Sequence, residues 1–441
     1  MNDEVRDSAS LTKGAGLVSQ FERGSLQRIR LHVLPTKRFK TFAISLFAGV
    51  PLQEDTVTET ALIPFVLRRG TAQTPETIQF REKLDDLYGA GFGFDVYKRG
   101  DSQIIQFRMD VINDKFVSSD TSLLAESLKF VGEVLTDPCL ENGSFRQKYV
   151  EAEKVTLKKR LEAIVNDKMR YAAERCLEEM CEDEPYRLSA LGKLDEIPAI
   201  TPQSLYNQYE QWLGSASFDL YVVGDTTLDE VTQLVSQVFR IKSGEPSHYQ
   251  TSARRPSPKK VKTIIEEMEI GQGKLNMGLR VGVNYSDDEY AAALMYNGIL
   301  GGYPHSKLFI NVREKESLAY YAASRFDGHK GLCTIQSGIE IANYNKAVEI
   351  IEKQLESMKQ GQLSELELSQ TKAMISNHLR ELQDSAYEMI AYDFNGVLSG
   401  NKRSAAQLIE QVQAVQAEDI VRIAQGVQLD TIYFLRDRKE A

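Results

Sequence analysis

A chain of 441 residues is too long for one ordinary core and suits two domains. Its 42% hydrophobic and 26% charged residues are normal for a soluble globular protein, and a net charge of −10 argues against a general nucleic-acid binder. The polar start MNDEVRDSASLTKGAG lacks the basic end and apolar core of a signal peptide, and no run of about 18 apolar residues occurs. The expected compartment is therefore the cytoplasm, with no membrane span.

In chain order, FAISLFAGV (42–50) alternates as a strand does. An acidic patch, QEDTVTE, follows, and then a helix-like apolar stretch ending at Arg69-Gly70. The glycines of GAGFGF (Gly89–Phe94) do not fit G-x-G-x-x-G and read as a turn into a strand. Glu153 to Cys181 reads as a long helix, a break at Asn166-Asp167, and a second helix, KMRYAAERCLEEMC. Thr201-Pro202 is a helix cap followed by proline at the first helical position, and FDLYVVGD (Phe218–Asp225) is a strand. Ser-, Pro- and charge-rich residues then fill 240–261, as in a linker.

Beyond 261 the same order returns. LNMGLRVGV (275–283) parallels FAISLFAGV, and NYSDDEY and an apolar stretch ending at Gly301-Gly302 follow it. Residues 370–397 repeat the broken helix, with the break at Gln383-Asp384, and DTIYFLRD (430–437) repeats the closing strand after a helix beginning near Gln416. Three matches in one order predict an α+β protein of two homologous halves, each an antiparallel-rich sheet covered by helices. The expected bounds are 1–239 and 262–441, joined by 240–261.

Candidate chemistry is sparse. The five histidines are His32, His248, His305, His329 and His378, and no two lie close enough for the i, i+4 pair of a helical zinc site. The cysteines Cys139, Cys176, Cys181 and Cys333 form no C-x-x-C pair and are expected to be reduced, structural thiols. There is no G-x-S-x-G elbow and no phosphate-binding G-x-x-x-x-G-K-[ST] loop. One segment stands apart: NGILGGYPHSKLFINVREKESLAYY (297–321). Gly301-Gly302 suggests a flexible loop, and Ser306 stands near the start of a helix with Leu308, Phe309 and Val312 on its apolar face. Arg313 and Tyr320 would project from the helix end and the next strand, where arginine suits a carbonyl or carboxylate and tyrosine can donate to an oxyanion. Residue chemistry alone leaves open a solvated arginine and a packed tyrosine.

That segment resembles the insulinase/pitrilysin family of inverzincin zinc peptidases, especially short members that act in pairs, such as mitochondrial processing peptidase. Their second half carries a glycine loop, S-R-L-F and R-E-K-x-G-L-A-Y. Ser306-Lys307-Leu308-Phe309 and Arg313 to Tyr320 stand at those positions, with Ser317 in place of the glycine. Glu184-Pro185-Tyr186, Gly192, Ile200-Thr201 and Val222 to Asp225 look like the family's first-half closing block. Active members carry H-x-x-E-H on a first-half helix ending in K-G-T. Here that end is Arg69-Gly70-Thr71, so the histidine positions fall on Ala61 and Phe65 and the glutamate position on Pro64. The third ligand would fall within EKVTLKKRLE (153–162), where no residue is assigned.

Alanine and phenylalanine cannot ligate zinc, proline cannot act as a base, and proline also perturbs the presenting helix. The resemblance thus implies a non-catalytic subunit of a heterodimeric zinc metallopeptidase, with no metal or cofactor bound by this chain and zinc in a homologous partner. No peptidase activity is expected of the chain alone. Arg313 and Tyr320 would support the substrate and transition state in trans, and Gly301, Gly302 and Ser306 would bear on substrate binding. The substrate would be a peptide, bound by strand addition to a sheet edge, with no nucleic acid or membrane involved. The alternatives are an inactive homologue serving interaction or assembly, and an independent enzyme with a different site.

Overall fold

The computed structural model describes residues 20–241, 244, 248–249, 252 and 260–438. The joint expected at 240–261 lies mostly outside the described residues. The first half contains strands β1 (Glu22–Leu26), β2 (Ile29–Pro35), β3 (Thr41–Pro51), β4 (Gly91–Arg99) and β5 (Ser102–Ile112). A short ribbon of β6 (Leu140–Glu141) and β7 (Ser144–Phe145) follows, and β8 (Ser217–Gly224) closes the half. Its helices are α1 (Val57–Leu67), α2 (Thr77–Asp86), α3 (Leu123–Thr136), α4 (Gln147–Asn166), α5 (Lys168–Met180), α6 (Pro202–Ser215) and α7 (Leu228–Val238). The second half contains β9 (Lys262–Met268), β10 (Gly273–Arg280), β11 (Ala319–Asp327), β12 (Leu332–Ile339) and β13 (Gln428–Asp437). With them stand α8 (Tyr290–Asn297), α9 (Tyr344–Lys359), α10 (Glu365–Glu381), α11 (Ala386–Ser399), α12 (Ala405–Ala414) and α13 (Ala417–Gly426).

The strand orders expose the repeat. The first sheet runs β1-β2-β8-β3-β5-β4 and the second β9-β13-β10-β12-β11. Apart from the added β1, the two match strand for strand. In each, one parallel pair (β2 with β8, β9 with β13) joins an otherwise antiparallel set. FAISLFAGV lies in β3 and LNMGLRVGV begins in β10, at the same place in their sheets. The helix breaks fall where the residues place them. Asp167 separates α4 from α5 and accepts the Arg170 amide, and a single turn at Leu382–Asp384 separates α10 from α11. Thr201 caps α6, with its hydroxyl accepting the Ser204 amide.

Each sheet buries one face under helices of its own half. The first core gathers Leu46, Leu62, Phe107, Leu128 and Trp212, and the second gathers Met277, Leu300, Ile335, Ile351 and Ile420. The second face of each sheet is covered by a helix from the other half. Ile390, Phe394 and Leu398 of α11 pack on Ala43, Phe47, Ile104 and Val223 of the first sheet, with Phe47 and Phe394 stacked at 3.8 Å. In return Ala172 and Cys176 of α5 pack on Tyr433 and Leu435 of the second. At Gly278 of β10 a Cβ would lie 2.6 Å from the Met180 sulfur, so glycine lets this helix approach. Helices on a single face therefore describe each half's own contribution, and the exchange of α5 and α11 covers the rest.

Polar groups reinforce the contact between halves. Glu184, 4% exposed, pairs with Arg280 at 2.7 Å and Lys330 at 2.8 Å. Tyr186 donates to Asp327 at 2.6 Å, and Arg23 and Tyr221 both bond Asp393. All four cysteines are buried and unpaired. Among the described residues no helix is long and apolar enough to cross a membrane.

Candidate functional site

Helix α1 is buried from end to end, with only Glu59 outside its buried set. Ala61 and Phe65 are 0% exposed and Pro64 is buried. Pro64 does not break the helix: the turn continues to Leu67, and the Arg68 amide still reaches the Pro64 carbonyl at 3.3 Å. The helix thus continues without the amide hydrogen that proline lacks, packed on nearly every side. None of the three side chains carries a metal donor or a base, and none opens to a surface where a substrate could sit. A catalytic zinc needs ligands and a free coordination position, and neither fits here.

What surrounds α1 is cationic. Phe65 meets Phe94 of β4 edge to face at 4.8 Å. The Arg160 guanidinium from α4 lies over both rings, at 4.7 and 5.8 Å, and Arg68 lies 5.3 Å over Phe94. Arg69 pairs with Glu153, which is 0% exposed. Within the segment where a third ligand was sought, Glu153 is thus already bound to a guanidinium, and Arg160 covers Phe65.

The segment 297–321 continues α8 as far as Gly302, turns at 303–306, winds as a second helical stretch that carries Arg313, and enters β11 with Tyr320. Residues Gly298–Gly302 and Phe309–Lys315 wind in wide turns, a conformation frequent at functional sites. The expected glycine loop is therefore the end of a helix. Gly301 is buried, and a Cβ there would lie 2.5 Å from the Ser324 backbone nitrogen of β11. Ser306 is 0% exposed, and its hydroxyl has no hydrogen-bond partner among the described residues. Of Gly301, Gly302 and Ser306, only Gly302 is exposed. Leu308 and Val312 are buried as their spacing predicts, while Phe309 is half-buried and carries the Arg313 guanidinium 4.5 Å over its ring.

Arg313 is exposed, and Tyr320 is 64% exposed. Tyr320 is the residue skipped where the β11–β12 register shifts, and such bulges re-aim a side chain. Its hydroxyl donates to Glu340 at 2.6 Å, which pushes its pKa up. Ser317, in the glycine position, has φ +51°, the left-handed conformation that glycine adopts freely.

A cavity of about 990 Å³ opens between the halves. Val96 to Arg99 of β4 and one face of α5 (Met169, Ala173, Leu177) line it with Tyr186 to Leu194, and Arg325 to His329 close it from the second half. None of the residues singled out in the sequence for chemistry lines this space, although β11 joins Tyr320 to its wall. The Lys98 ammonium bonds the carbonyls of Tyr186 at 2.5 Å and Leu188 at 3.1 Å, and lies 4.1 Å from the Tyr186 ring. Burial lowers its pKa, and burial likewise lowers that of His329, which bonds Asn395 at 3.1 Å. Sequence reasoning found Tyr186 through the Glu-Pro-Tyr block, weighed His329 only as an unpaired histidine, and had no signal for Lys98.

The fold is a peptidase-like clam-shell of two halves, and Ala61, Pro64 and Phe65 of α1 offer no metal donor. Comparison with known proteins gives the family. The peptidase M16 inactive domain matches residues 199–375. The chain is 39% identical to the probable inactive metalloprotease YmfF of Bacillus subtilis over 415 residues, covering 93% of this chain and 96% of that one. It is 25% identical over 279 residues, 62% of this chain and 68% of the relative, to the subtilosin biosynthesis protein AlbE of Bacillus subtilis. A crystal structure of a conserved protein from Enterococcus faecalis matches with a TM-score of 0.89 at 31% identity, over 96% of this chain and all of that one. The chain belongs to the peptidase M16 family and is an inactive member of it.

Proposed function

We propose that this chain is the substrate-binding, non-catalytic subunit of a heterodimeric zinc metallopeptidase acting on peptides in the cytoplasm. One observation carries the reading. Arg313 and Tyr320 stand exposed on a bulged, wide-turned segment, while the α1 positions are sealed and without donors. A vestigial protein has no need to aim these two side chains outward. In trans they would hold a substrate carbonyl beside the partner's metal, with Gly302 at the approach and Gly301 and Ser306 setting the segment's path. Among the described residues the edge strand β4 has no neighbour on one side, and it would receive an extended peptide there. Residues 1–239 and 262–441 act as the two halves around that peptide, joined by 240–261. The similarity to AlbE, a bacteriocin biosynthesis protein, supports a peptide substrate.

A second reading, an inactive homologue serving interaction or assembly, is favoured by the Tyr320 hydroxyl already being held by Glu340. Co-expression with a homologue bearing H-x-x-E-H separates the two. Peptide cleavage should appear only in the pair and should drop with Arg313→Ala or Tyr320→Phe. Full activity of the zinc-bearing homologue alone would sink the subunit reading.

A further inference from the structure

We propose that the place where active relatives hold their metal has become, in this chain, a receptor for the carboxylates of an acidic, extended peptide. This names the substrate class of the binding role proposed above and rests on that reading.

Three separate stretches bring arginines to one spot: Arg68 and Arg69 at the end of α1, Arg81 on α2, and Arg160 on α4. Glu153 is the carboxylate that acts on Arg68; its Oε1 accepts from Arg69, while its buried Oε2 has no hydrogen-bond partner among the described residues. Among the described residues, Arg68, Arg81 and Arg160 have no carboxylate partner. The local balance is an excess of about three positive charges in a chain whose net charge is −10.

The bland alternative is a set of solvated surface arginines, and exposure of Arg81 and Arg160 fits it. Arg68 does not. It is half-buried, and burial, followed by its cationic neighbours Arg69, Arg160 and Arg81, lowers its pKa against the pull of Glu153. Like charges gathered beside a desolvated guanidinium are costly unless an anion joins them. The geometry is also organised. Arg68 and Arg160 both lie over the Phe94 ring, and Arg160 over Phe65 as well. A guanidinium stacked on a ring keeps its planar edge of N–H donors free for a carboxylate.

Phe94 belongs to β4, one side of which pairs with no strand among the described residues. That edge offers backbone donors and acceptors to an extended chain, which a free phosphate would not use. From Phe94 the strand continues through Val96 to Arg99 along the cavity, roughly 13 Å for four residues. An extended peptide on this edge would set an acidic side chain against Arg68 and Arg160 while its continuation enters the cavity.

The test uses the intact chain and two labelled nine-residue peptides, one with Glu at alternate positions and one with Gln instead. Fluorescence anisotropy should show binding of the Glu peptide, weakening as salt rises. Arg160→Gln should weaken it on the order of tenfold, with Arg160→Lys intermediate. Arg81→Gln is a second exposed variant, and unchanged thermal melting of both shows that the fold is intact. Equal affinity for the two peptides, no binding of either, or unchanged binding by both variants overturns the proposal. So does inorganic phosphate displacing the Glu peptide as well as an excess of unlabelled peptide does. Because the isolated chain is assayed, a negative result leaves the paired-activity experiment free to succeed.

Discussion

Replacing Glu184 by Gln removes one negative charge and almost nothing in size. The carboxylate is nearly sealed from solvent and receives Arg280 at 2.7 Å and Lys330 at 2.8 Å, both from the other half. The Arg280 and Lys330 side chains are themselves buried, at 13% and 2% exposure. Breaking a buried pair typically costs 3–5 kcal/mol because a charge is left uncompensated. Here each cation keeps a second partner, Asp430 at 2.9 Å and Asp101 at 2.6 Å, so the expected loss is at the low end, about 3 kcal/mol. Urea unfolding of wild type, Glu184→Gln, Lys330→Met and the double variant measures the loss and the coupling between the two side chains. The pH dependence gives an independent check. Burial raises the Glu184 pKa, but hydrogen bonds from Lys330 and Arg280 outweigh it and the net shift is downward. A group depressed in the folded state stabilises above its unfolded value, near 4.3, and that stability is lost as pH falls through the folded value. The wild type should therefore lose stability on acidification in a step that Glu184→Gln lacks. A loss below about 1 kcal/mol, or no coupling to Lys330, would refute the view that this carboxylate ties the halves together.

Two further outcomes follow from local geometry. Ser317→Gly should raise the melting temperature, because a left-handed backbone costs a side-chain-bearing residue about 1–2 kcal/mol, more than the 0.4–1 kcal/mol of extra chain entropy glycine brings. Differential scanning fluorimetry reads it, and an unchanged or lower midpoint counts against the strain. Asp219 is fully buried with Arg30, His32 and Tyr249 around it. Burial works against its charge, yet hydrogen bonds from Arg30 and His32 bring its pKa to about 2. It should contribute roughly 2.5 kcal/mol above pH 4, lost as pH falls towards 2. Asp219→Asn should forfeit that at neutral pH and flatten the acid limb in urea titrations at several pH values.

Much of the fold was legible because it is written twice. FAISLFAGV and LNMGLRVGV carry strand periodicity, and Asp167 and Thr201 carry cap chemistry that acts locally. What periodicity could not say is which sheet a buried helix face meets, so the crossing of α5 and α11 was out of reach. Gly301-Gly302 reads as a loop by composition, but packing against Ser324 makes it the end of a helix. Pro64 reads as a helix disruptor, but burial of every α1 residue except Glu59 holds the turn together. The lack of metal donors at Ala61, Pro64 and Phe65 was legible from residue type alone, which needs no geometry. Lys98 was not, because its burial depends on carbonyls of Tyr186 and Leu188 far along the chain. The same holds for the arginines at 68, 81 and 160, which only the fold brings together.

The crossed helices also bear on how such a chain could arise. Two half-length chains, each lending one helix to the back of the other's sheet, would form a domain-swapped dimer with the same patch used on both sides. Joining them end to end converts that self-complementary dimer into one polypeptide without changing a contact, and frees each copy to diverge. The lent helices secure the two halves to each other whatever chemistry either half carries.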